Sequence, residues 1–330
     1  MAFFTESVKN TIKPINCVLQ PQRTGINLYH QSSKKMGKQK IPVYDICSLS
    51  KNHFQPSDLL VERFGEYLKR HSPDLHKAHR HSFYHLVLFT KGSGTHTIDF
   101  TRFDVKPFEI YFMAPGQVHS WHFESETDGY IINFSESIFR SFLLNPDYLE
   151  RFSFFNGIGE EGVCHLPTNV HDKVLQLLED ILKATTSEGE YQPDLVRLLL
   201  LHLFITVEEV CNKKPARPVQ VQQQMLLKNF RRLIDQHYKS LKLPKEYASL
   251  LYITPNHLNA ITQDLLGKTA GDLIRQRIIL EAKRLLINAG LTVTEIAFAL
   301  NFSDNSYFNR FFKKSEGITP DEFRKQYIQA

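Results

Sequence analysis

The feature that most constrains the fold is a pair of short amphipathic helices in the C-terminal segment Ala289–Arg324. Apolar residues recur with the spacing of one helix face from Val293 to Leu300. Thr292, with Glu295 three residues later, forms a capping box, which predicts where this helix begins. A tight turn is expected after Leu300, because the apolar periodicity stops there and restarts in a new phase.

A second helix is predicted over Asp304–Glu316, with Ser303 as its N-terminal cap. One side of this helix is aromatic. The opposite side is predicted to carry Asn305, Ser306, Asn309, Arg310 and Lys313. Amides, hydroxyls and cations pair with base edges and phosphates, so this arrangement indicates a DNA-binding helix-turn-helix. The plain alternative is an amphipathic helix pair with a solvated polar face.

The same pattern occurs a second time upstream, which weakens that alternative. A short helix is predicted over Lys245–Leu251, and Thr254 with Pro255 begins the next helix, which runs to Leu266. Its predicted outward residues are Asn256, Asn259, Ala260 and Gln263.

A long helix, Gly271–Ala289, is predicted to join the two units and to span roughly 28 Å. Reading helices held about one DNA turn apart, roughly 34 Å, meet successive major grooves on one face of a duplex. Residues 225–330 carry 16 lysines and arginines against 10 acidic residues. The whole net charge of +5 is therefore attributable to this half, as a phosphate-binding surface requires.

The C-terminal hundred residues resemble the AraC/XylS family of transcription regulators. EIAFALNFSDNSYFNRFFKKSEGITPDEFR is similar to the second helix-turn-helix and closing segment of that family, and RIILEAKRLL is similar to its linker helix. Asn301 stands where the family usually has glycine, and asparagine tolerates the same left-handed conformation. Ala260 and Gln263 stand where many members have basic residues.

The resemblance implies sequence-specific binding to double-stranded promoter DNA. Asn305, Ser306, Asn309 and Arg310 are the main predicted base readers, with Asn256, Asn259 and Gln263 secondary. Lys313, Lys314 and Arg284 are predicted to bind phosphates, which set position and not sequence.

The region 76–135 has the composition of short strands separated by Gly and Pro turns, which is typical of a small β-barrel or jelly roll. The predicted strands are Phe83–Phe89, Thr95–Phe103, Ile110–Ala114, His119–Phe123 and Tyr130–Phe134, with Ile41–Ile46 as an arm strand. Thr95–Phe103 is predicted as one half-buried strand because its residues alternate in polarity.

This region contains four notable histidines, His79, His81, His85 and His119. The run HRHSFYH and the later PGQVH are similar to the two signature segments of cupin barrels. In cupins these positions hold a metal, and a glutamate occupies the position that His85 has in this chain. Three interpretations stay open: a metal site, an effector pocket, or hydrogen-bonded core histidines. Trp121, Phe112, Tyr111 and Tyr84 are candidate residues lining a pocket, although aromatic residues of this kind more often belong to the core.

The expected fold is α+β with two domains. Its predicted parts are an uninformative N-terminus at 1–40, a cupin-like sensor barrel at 41–168, a helix pair at 169–212, a linker at 213–224, and an all-α domain with two helix-turn-helix units at 225–330. The resemblance makes the helix pair the interface of a homodimer, although periodicity alone allows packing within one chain.

The four cysteines have no metal-binding spacing, and reduced thiols in a cytoplasmic protein are expected. No signal peptide or membrane segment is evident. No cofactor is expected. An unknown small-molecule effector is an expected partner and RNA polymerase a candidate one. Two rivals remain: a metal-dependent cupin enzyme with a regulatory tail, and an architectural protein that bends DNA without reading it.

Overall fold

The computed structural model describes residues 41–49, 58–75, 77–140, 142–143, 148–211, 221–288 and 290–328. All of them belong to one unit of the chain, Lys38–Ala330. The segment 1–40 lies outside the described residues.

Short strands build the N-terminal half, as the Gly and Pro turns predicted. They are β1 (Val43–Tyr44), β2 (Leu59–Arg63), β3 (His79–His81), β4 (Tyr84–Lys91), β5 (Gly94–Ile98), β6 (Thr101–Val105), β7 (Glu109–Met113), β8 (Val118–Phe123), β9 (Asp128–Phe134) and β10 (Val163–His165). They form two five-stranded sheets, in the orders β1-β3-β8-β5-β6 and β10-β7-β4-β9-β2. The pairs are antiparallel except for the short β1–β3 contact, which is parallel.

Strand β4 illustrates how the two faces of a sheet are divided. Val87 and Phe89 belong to the core enclosed by the two sheets, together with residues of β5, β7 and β8. Leu86 and Leu88 belong to a second core on the outer face, because successive side chains point to opposite sides of a strand. Helices α1 (Ile46–Leu49), α2 (Phe64–Leu75) and α3 (Ser137–Arg140) accompany the sheets.

The prediction of one strand over Thr95–Phe103 is wrong. The chain reverses at Asp99 and Phe100, whose φ angles are 46° and 75°, and β5 pairs with β6 as a hairpin. Both strands of the hairpin alternate in polarity, so the pattern continues through the turn without a break. The turn also lacks the glycine that usually marks a left-handed conformation.

Two long helices, α4 (His171–Thr186) and α5 (Gln192–Cys211), pack on the outer face of the second sheet. Short 3₁₀ turns at Tyr148–Arg151, Ser153–Phe155 and Thr168–Val170 lead into them. Val196, Leu200, Phe204 and Val207 of α5 are buried in this outer core, which accounts for the strongly apolar sequence of the helix.

The C-terminal half is helical. Its helices are α6 (Val221–His237), α7 (Pro244–Leu250), α8 (Pro255–Leu266), α9 (Ala270–Leu286), α10 (Val293–Ala299), α11 (Asn305–Glu316) and α12 (Pro320–Ile328). Residues 221–224 of the predicted linker belong to α6, and the rest of it, 213–220, lies outside the described residues. These helices share a core that includes Phe230, Ile274, Ile278 and Phe308.

The expectation of four reduced cysteines is wrong for one pair. Cys164 of β10 and Cys211 at the end of α5 form a disulfide across 47 residues of sequence. Scattered cysteines do not indicate their pairing, because only the packing of α5 against the second sheet brings these two together. The disulfide ties the last residue of α5 to the edge of the barrel.

Candidate nucleic-acid interface and sensor barrel

The second helix-turn-helix consists of α10 and α11. Thr292 and Glu295 form the predicted capping box at the start of α10. Asn301 has a φ of 56°, the left-handed conformation that asparagine tolerates. The cap of α11 is Asp304, whose carboxylate accepts a hydrogen bond from the backbone N–H of Tyr307, so the prediction of Ser303 as the cap is wrong by one residue.

Helix α11 buries its aromatic face and exposes its polar one. Phe308 and Phe312 are fully buried. The exposed residues include Ser306, Arg310, Lys313 and Lys314, whereas Asn305 and Asn309 are half-buried. The Asn309 side chain donates hydrogen bonds of 2.8 and 2.9 Å to the Asn305 backbone and side-chain oxygens. These bonds use the amide N–H groups of Asn309, so donating a hydrogen bond to a base would require this contact to open.

The first unit, α7 and α8, repeats the arrangement. Thr254 caps α8 by accepting from the His257 N–H, and Pro255 occupies the first helical position, as predicted. Asn256, Ala260 and Gln263 are exposed. Helix α8 contains no lysine or arginine, and its charged residue is Asp264. The cationic surface of the two reading helices is thus confined to α11.

Asn259 has a structural role that its sequence position did not reveal. Its side-chain oxygen accepts a 3.0 Å hydrogen bond from the Ala270 N–H, at the start of α9. In the second unit, the position of Ala270 is occupied by Pro320, the first residue of α12, which has no N–H to donate. This difference explains why Asn309, the counterpart of Asn259, is bonded within its own helix instead.

The structure contradicts the prediction that Arg284 binds phosphate. Its side chain is 7% exposed and makes a bidentate ion pair with Asp99, through Nε–Oδ1 at 2.8 Å and Nη2–Oδ2 at 2.6 Å. Asp99 also accepts hydrogen bonds from the Gln117 side chain and the Val118 N–H. A cation in this position is held by the barrel and does not face solvent.

The β5–β6 turn therefore docks on the helical half. Phe100, next to Asp99, packs edge-on against Phe323 and Tyr327 of α12, and the Lys283 ammonium lies 5.0 Å from its ring centre. A second ion pair, Arg231–Glu161, joins α6 to the loop before β10 at 3.0 Å. The left-handed backbone of the turn is what aims Asp99 and Phe100 at these helices.

The four predicted histidines lie together inside the barrel. His79, His81, His85 and His119 are each at most 2% exposed. The Nε2 atoms of His81 and His119 are 2.7 Å apart. His79 Nδ1 donates to the Lys77 carbonyl at 2.8 Å, and His85 Nδ1 donates to the Asn133 side-chain oxygen at 2.7 Å.

A fifth histidine, His96 of β5, belongs to this cluster and was missed by sequence analysis. It is fully buried, and its Nε2 lies 3.0 Å from His119 Nδ1. The THT alternation around it was the available signal, since the middle residue of such a triplet points inward when its neighbours point outward. His96 lay outside the two cupin-like segments and so was not considered.

Burial keeps the imidazoles of His81, His85, His96 and His119 neutral. Desolvation, followed by repulsion between neighbouring histidines, lowers the pKa values of His81, His96 and His119 well below 6.5. Desolvation lowers the pKa of His85 to about 3, although its hydrogen bond with Asn133 acts in the opposite direction. Neutral imidazole is the form that binds metals and accepts hydrogen bonds.

The other candidate pocket residues fall into two groups, according to which face of its strand each side chain occupies. Trp121 and Tyr111 lie in the inner core, where their rings contact His96. Tyr84 and Phe112 lie instead in the outer core under α5, where both contact Phe155. The prediction that Tyr84 and Phe112 line a pocket with the histidines is therefore wrong.

A cavity of about 640 Å³ lies between the barrel and the helices. Its walls include Asp99, Gln117 and Ile158 from the barrel side, and Arg231, Leu273 and Arg277 from the helical side. Among the described residues, none of the helices combines the length and apolarity needed to cross a bilayer.

Two family models match this chain in separate segments. Residues 66–204 match an AraC-like ligand binding domain, and residues 247–326 match a helix-turn-helix domain. The chain is thus a DNA-binding transcription regulator with an N-terminal ligand-binding domain. It belongs to the AraC/XylS family, as the C-terminal motifs indicated.

Similar proteins include the transcriptional activator RhaR of Enterobacter sp. (strain 638), 25% identical over 79% of this chain and 91% of that protein. The uncharacterised regulator YijO of Escherichia coli (strain K12) is 34% identical, over 32% of this chain and 37% of that protein. Among solved structures, unsaturated fatty acid bound ToxT from Vibrio cholerae is 12% identical with a TM-score of 0.39, covering 84% of this chain and 99% of that one.

Proposed function

We propose that this regulator reads promoter sequence mainly with α11. Helix α8 helps to position the protein on DNA more than it selects the sequence. The observation that carries this proposal is the contrast between the two exposed faces. Helix α11 presents Ser306, Arg310, Lys313 and Lys314 to solvent, whereas the exposed face of α8 has no cation. Arg310 pairs with bases, Lys313 and Lys314 bind phosphates, and Asn256 and Gln263 are secondary contacts.

The division of the chain that goes with this function is a sensor barrel at 41–168, a helix pair at 169–212 and a DNA-binding domain at 225–330.

The protein acts as a homodimer through α5. Support comes from an exposed stripe on that helix, Leu195, Leu198 and Ile205, which are 48%, 56% and 41% exposed at helical spacing. RNA polymerase is a candidate partner, and the cytoplasm is the proposed location.

Regulation requires that an effector bind more tightly to one arrangement of barrel and DNA-binding helices than to another. The docked β5–β6 turn is the proposed two-state element, since Asp99 and Phe100 link the barrel directly to α9 and α12. An effector bound near His79, His81, His85, His119 and Trp121 contacts β8, which pairs with β5 and supports Asp99 of the turn through the Val118 N–H. The protein regulates transcription and has no proposed catalytic activity.

The proposal is tested by selecting bound fragments from sheared genomic DNA with the full-length protein, at low and high salt. We expect fragments that share one strong short core, read by α11, with a weaker core about 10 base pairs away. Binding of every duplex with equal affinity would contradict the proposal and favour an architectural role.

Arg310→Ala is expected to weaken binding to the selected core by about 1–3 kcal/mol and to affect random duplex much less. The matched variant Lys313→Ala, one turn further along the same face, is expected to weaken both duplexes alike and to reduce the salt dependence by about one ion. Fluorescence anisotropy titrations on the two duplexes measure both effects. Equal losses on both duplexes for Arg310→Ala would assign it to a phosphate.

A further inference from the structure

The Cys164–Cys211 disulfide lies next to the connection between the two halves of the chain. Cys164 is the middle residue of β10, and Cys211 is the last residue of α5. Residues 212–220 then connect α5 to α6, the first helix of the DNA-binding half. The disulfide therefore fixes the point at which the chain leaves the N-terminal half.

A second contact ties the other end of this connection to the same part of the barrel. Glu161 lies two residues before β10, and its carboxylate accepts hydrogen bonds of 3.0 and 3.2 Å from the guanidinium of Arg231 in α6. Residues 161–164, called the junction segment below, thus hold the end of α5 by a covalent bond and α6 by an ion pair. How firmly α6 is held on the barrel therefore depends on how firmly the junction segment is held.

The junction segment lies at the edge of a sheet. Strand β10 has three residues and is the outermost strand of its sheet, where it pairs with β7. Gly162 adds a hydrogen bond, since its carbonyl accepts from the Phe112 N–H at 2.7 Å. A short edge strand has few ladder hydrogen bonds and opens easily, so a covalent link to α5 stabilises it substantially. Breaking the disulfide is expected to loosen β10 together with Glu161.

Neither cysteine of the pair is fully buried. Cys164 and Cys211 are half-buried and lie at the margin of the outer core. Thiol–disulfide exchange depends on such access, because the attacking thiolate has to reach a sulfur atom. A protein that binds chromosomal DNA works in the compartment that holds the chromosome, where thiol reductants keep most cysteines reduced. A disulfide in that compartment is usually transient and either catalytic or redox-sensing.

We propose that Cys164 and Cys211 form a reversible dithiol–disulfide switch that reacts with low-molecular-weight disulfides, and that the oxidised form binds DNA more weakly than the reduced form. The exchange reaction is independent of the proposed function above, whereas its effect on DNA binding rests on that function.

The exchange takes two steps. One protein thiolate attacks a sulfur atom of the small disulfide, which forms a mixed disulfide and releases one small thiol. The other protein thiolate attacks the protein sulfur of the mixed disulfide, which closes the Cys164–Cys211 bond and releases the second small thiol. The two protein thiols lose two electrons and two protons, and the small disulfide gains both. An excess of the small thiol reverses the two steps.

The direction of the effect follows from what the disulfide holds. When it is closed, the junction segment keeps Glu161 in place, and Arg231 of α6 stays paired on the barrel. Helices held on the barrel have fewer positions in which both reading helices meet successive major grooves. Reduction is therefore expected to release α6 and to raise the affinity for DNA by about 5-fold or more, the usual range for coupling between two sites.

The test uses the full-length protein, equilibrated in glutathione mixtures that range from mostly reduced to mostly oxidised. Free thiols are trapped with a maleimide of large mass and counted by gel electrophoresis, and anisotropy with the selected DNA core gives the affinity of the same samples. We expect one disulfide to open and close reversibly within this range. The matched background, Cys17→Ser with Cys47→Ser, removes the other two thiols of the chain and should keep the switch.

Cys211→Ser and Cys164→Ser are each expected to fix the protein in its high-affinity form, with no response to glutathione. Circular dichroism checks that these variants fold, and the background variant in its two redox states carries the same comparison if they do not. Amide exchange at 161–165 and along α6 is expected to be faster in the reduced protein, which reports the anchoring without DNA.

A disulfide that persists in an excess of reduced glutathione, or thiols that stay unpaired in oxidised glutathione, would overturn the reversible switch. Amide exchange that is the same in both redox states would overturn the anchoring of the junction segment. Equal or tighter DNA binding by the oxidised form would overturn the effect on DNA. If no DNA core is selected, the proposed function fails, whereas thiol trapping and amide exchange still decide whether the disulfide switches the junction segment.

Discussion

Lowering the pH from about 7.5 to 5.5 is expected to lower the free energy of unfolding by on the order of a few kcal/mol, because the barrel histidines are buried in their neutral form. In the unfolded chain, histidines bind protons with a pKa near 6.5. In the folded chain the pKa of His85 is about 3, and those of His81, His96 and His119 are well below 6.5. The unfolded state therefore takes up more protons as the pH falls.

Each of these four groups contributes stability that is fully present above about pH 6.5 and is lost progressively as the pH falls below it. Urea unfolding at several pH values measures the slope. His85→Gln is expected to reduce the acid dependence of stability, because it removes one of the four buried imidazoles whose pKa values are lowered. An acid dependence in His85→Gln as steep as in the parent protein would show that burial does not keep His85 neutral.

Arg284→Ala is expected to cost about 3–5 kcal/mol, because it leaves the Asp99 carboxylate buried without its cation. Asp99→Asn tests the same pair from the other side, and asparagine tolerates the left-handed backbone there. Since the pair joins the barrel to α9, the loss falls on the contact between the two halves. Calorimetry should therefore resolve two thermal transitions in these variants, with faster amide exchange across 98–101 and 280–287.

The matched control is Arg275→Ala on the same helix. Its ion pair with Asp272 is half exposed, so its loss should cost no more than about 1 kcal/mol. The double variant Asp99→Asn with Arg284→Met should recover part of the loss, because no uncompensated charge remains buried. If Arg284→Ala and Arg275→Ala were equally stable, the buried pair would not hold the two halves together.

Much of the DNA-binding half was predictable because its signals are local. The capping box at Thr292, the proline after Thr254 and the left-handed Asn301 each act within a few residues of sequence. The error at the cap of α11 has a local cause too, since Ser303 and Asp304 are adjacent and both are good capping residues. The barrel was predictable as a class because strands separated by turns leave a regular pattern.

The site residues were predictable only where a motif contained them. Four histidines were identified by their cupin-like segments, but His96 was not, although it is as deeply buried. Tyr84 was assigned to the wrong face of its strand, because composition does not show which residues of a strand point inward. Asn259 has the side chain of a base reader but accepts a hydrogen bond from the Ala270 N–H at the start of α9, eleven residues away.

The sequence by itself determined the two helix-turn-helix units, the barrel class and the family, because helix caps, periodicity and turns depend on neighbours in the chain. Only the tertiary structure decided which charged side chains are exposed and therefore available to bind DNA. Arg284 and Asp99 are separated by 185 residues and pair only because a left-handed hairpin turn meets α9. Likewise, His79 lies opposite His119 because β3 and β8 are paired. Long-range pairing of this kind is set by packing and burial, which leave no local trace in the sequence.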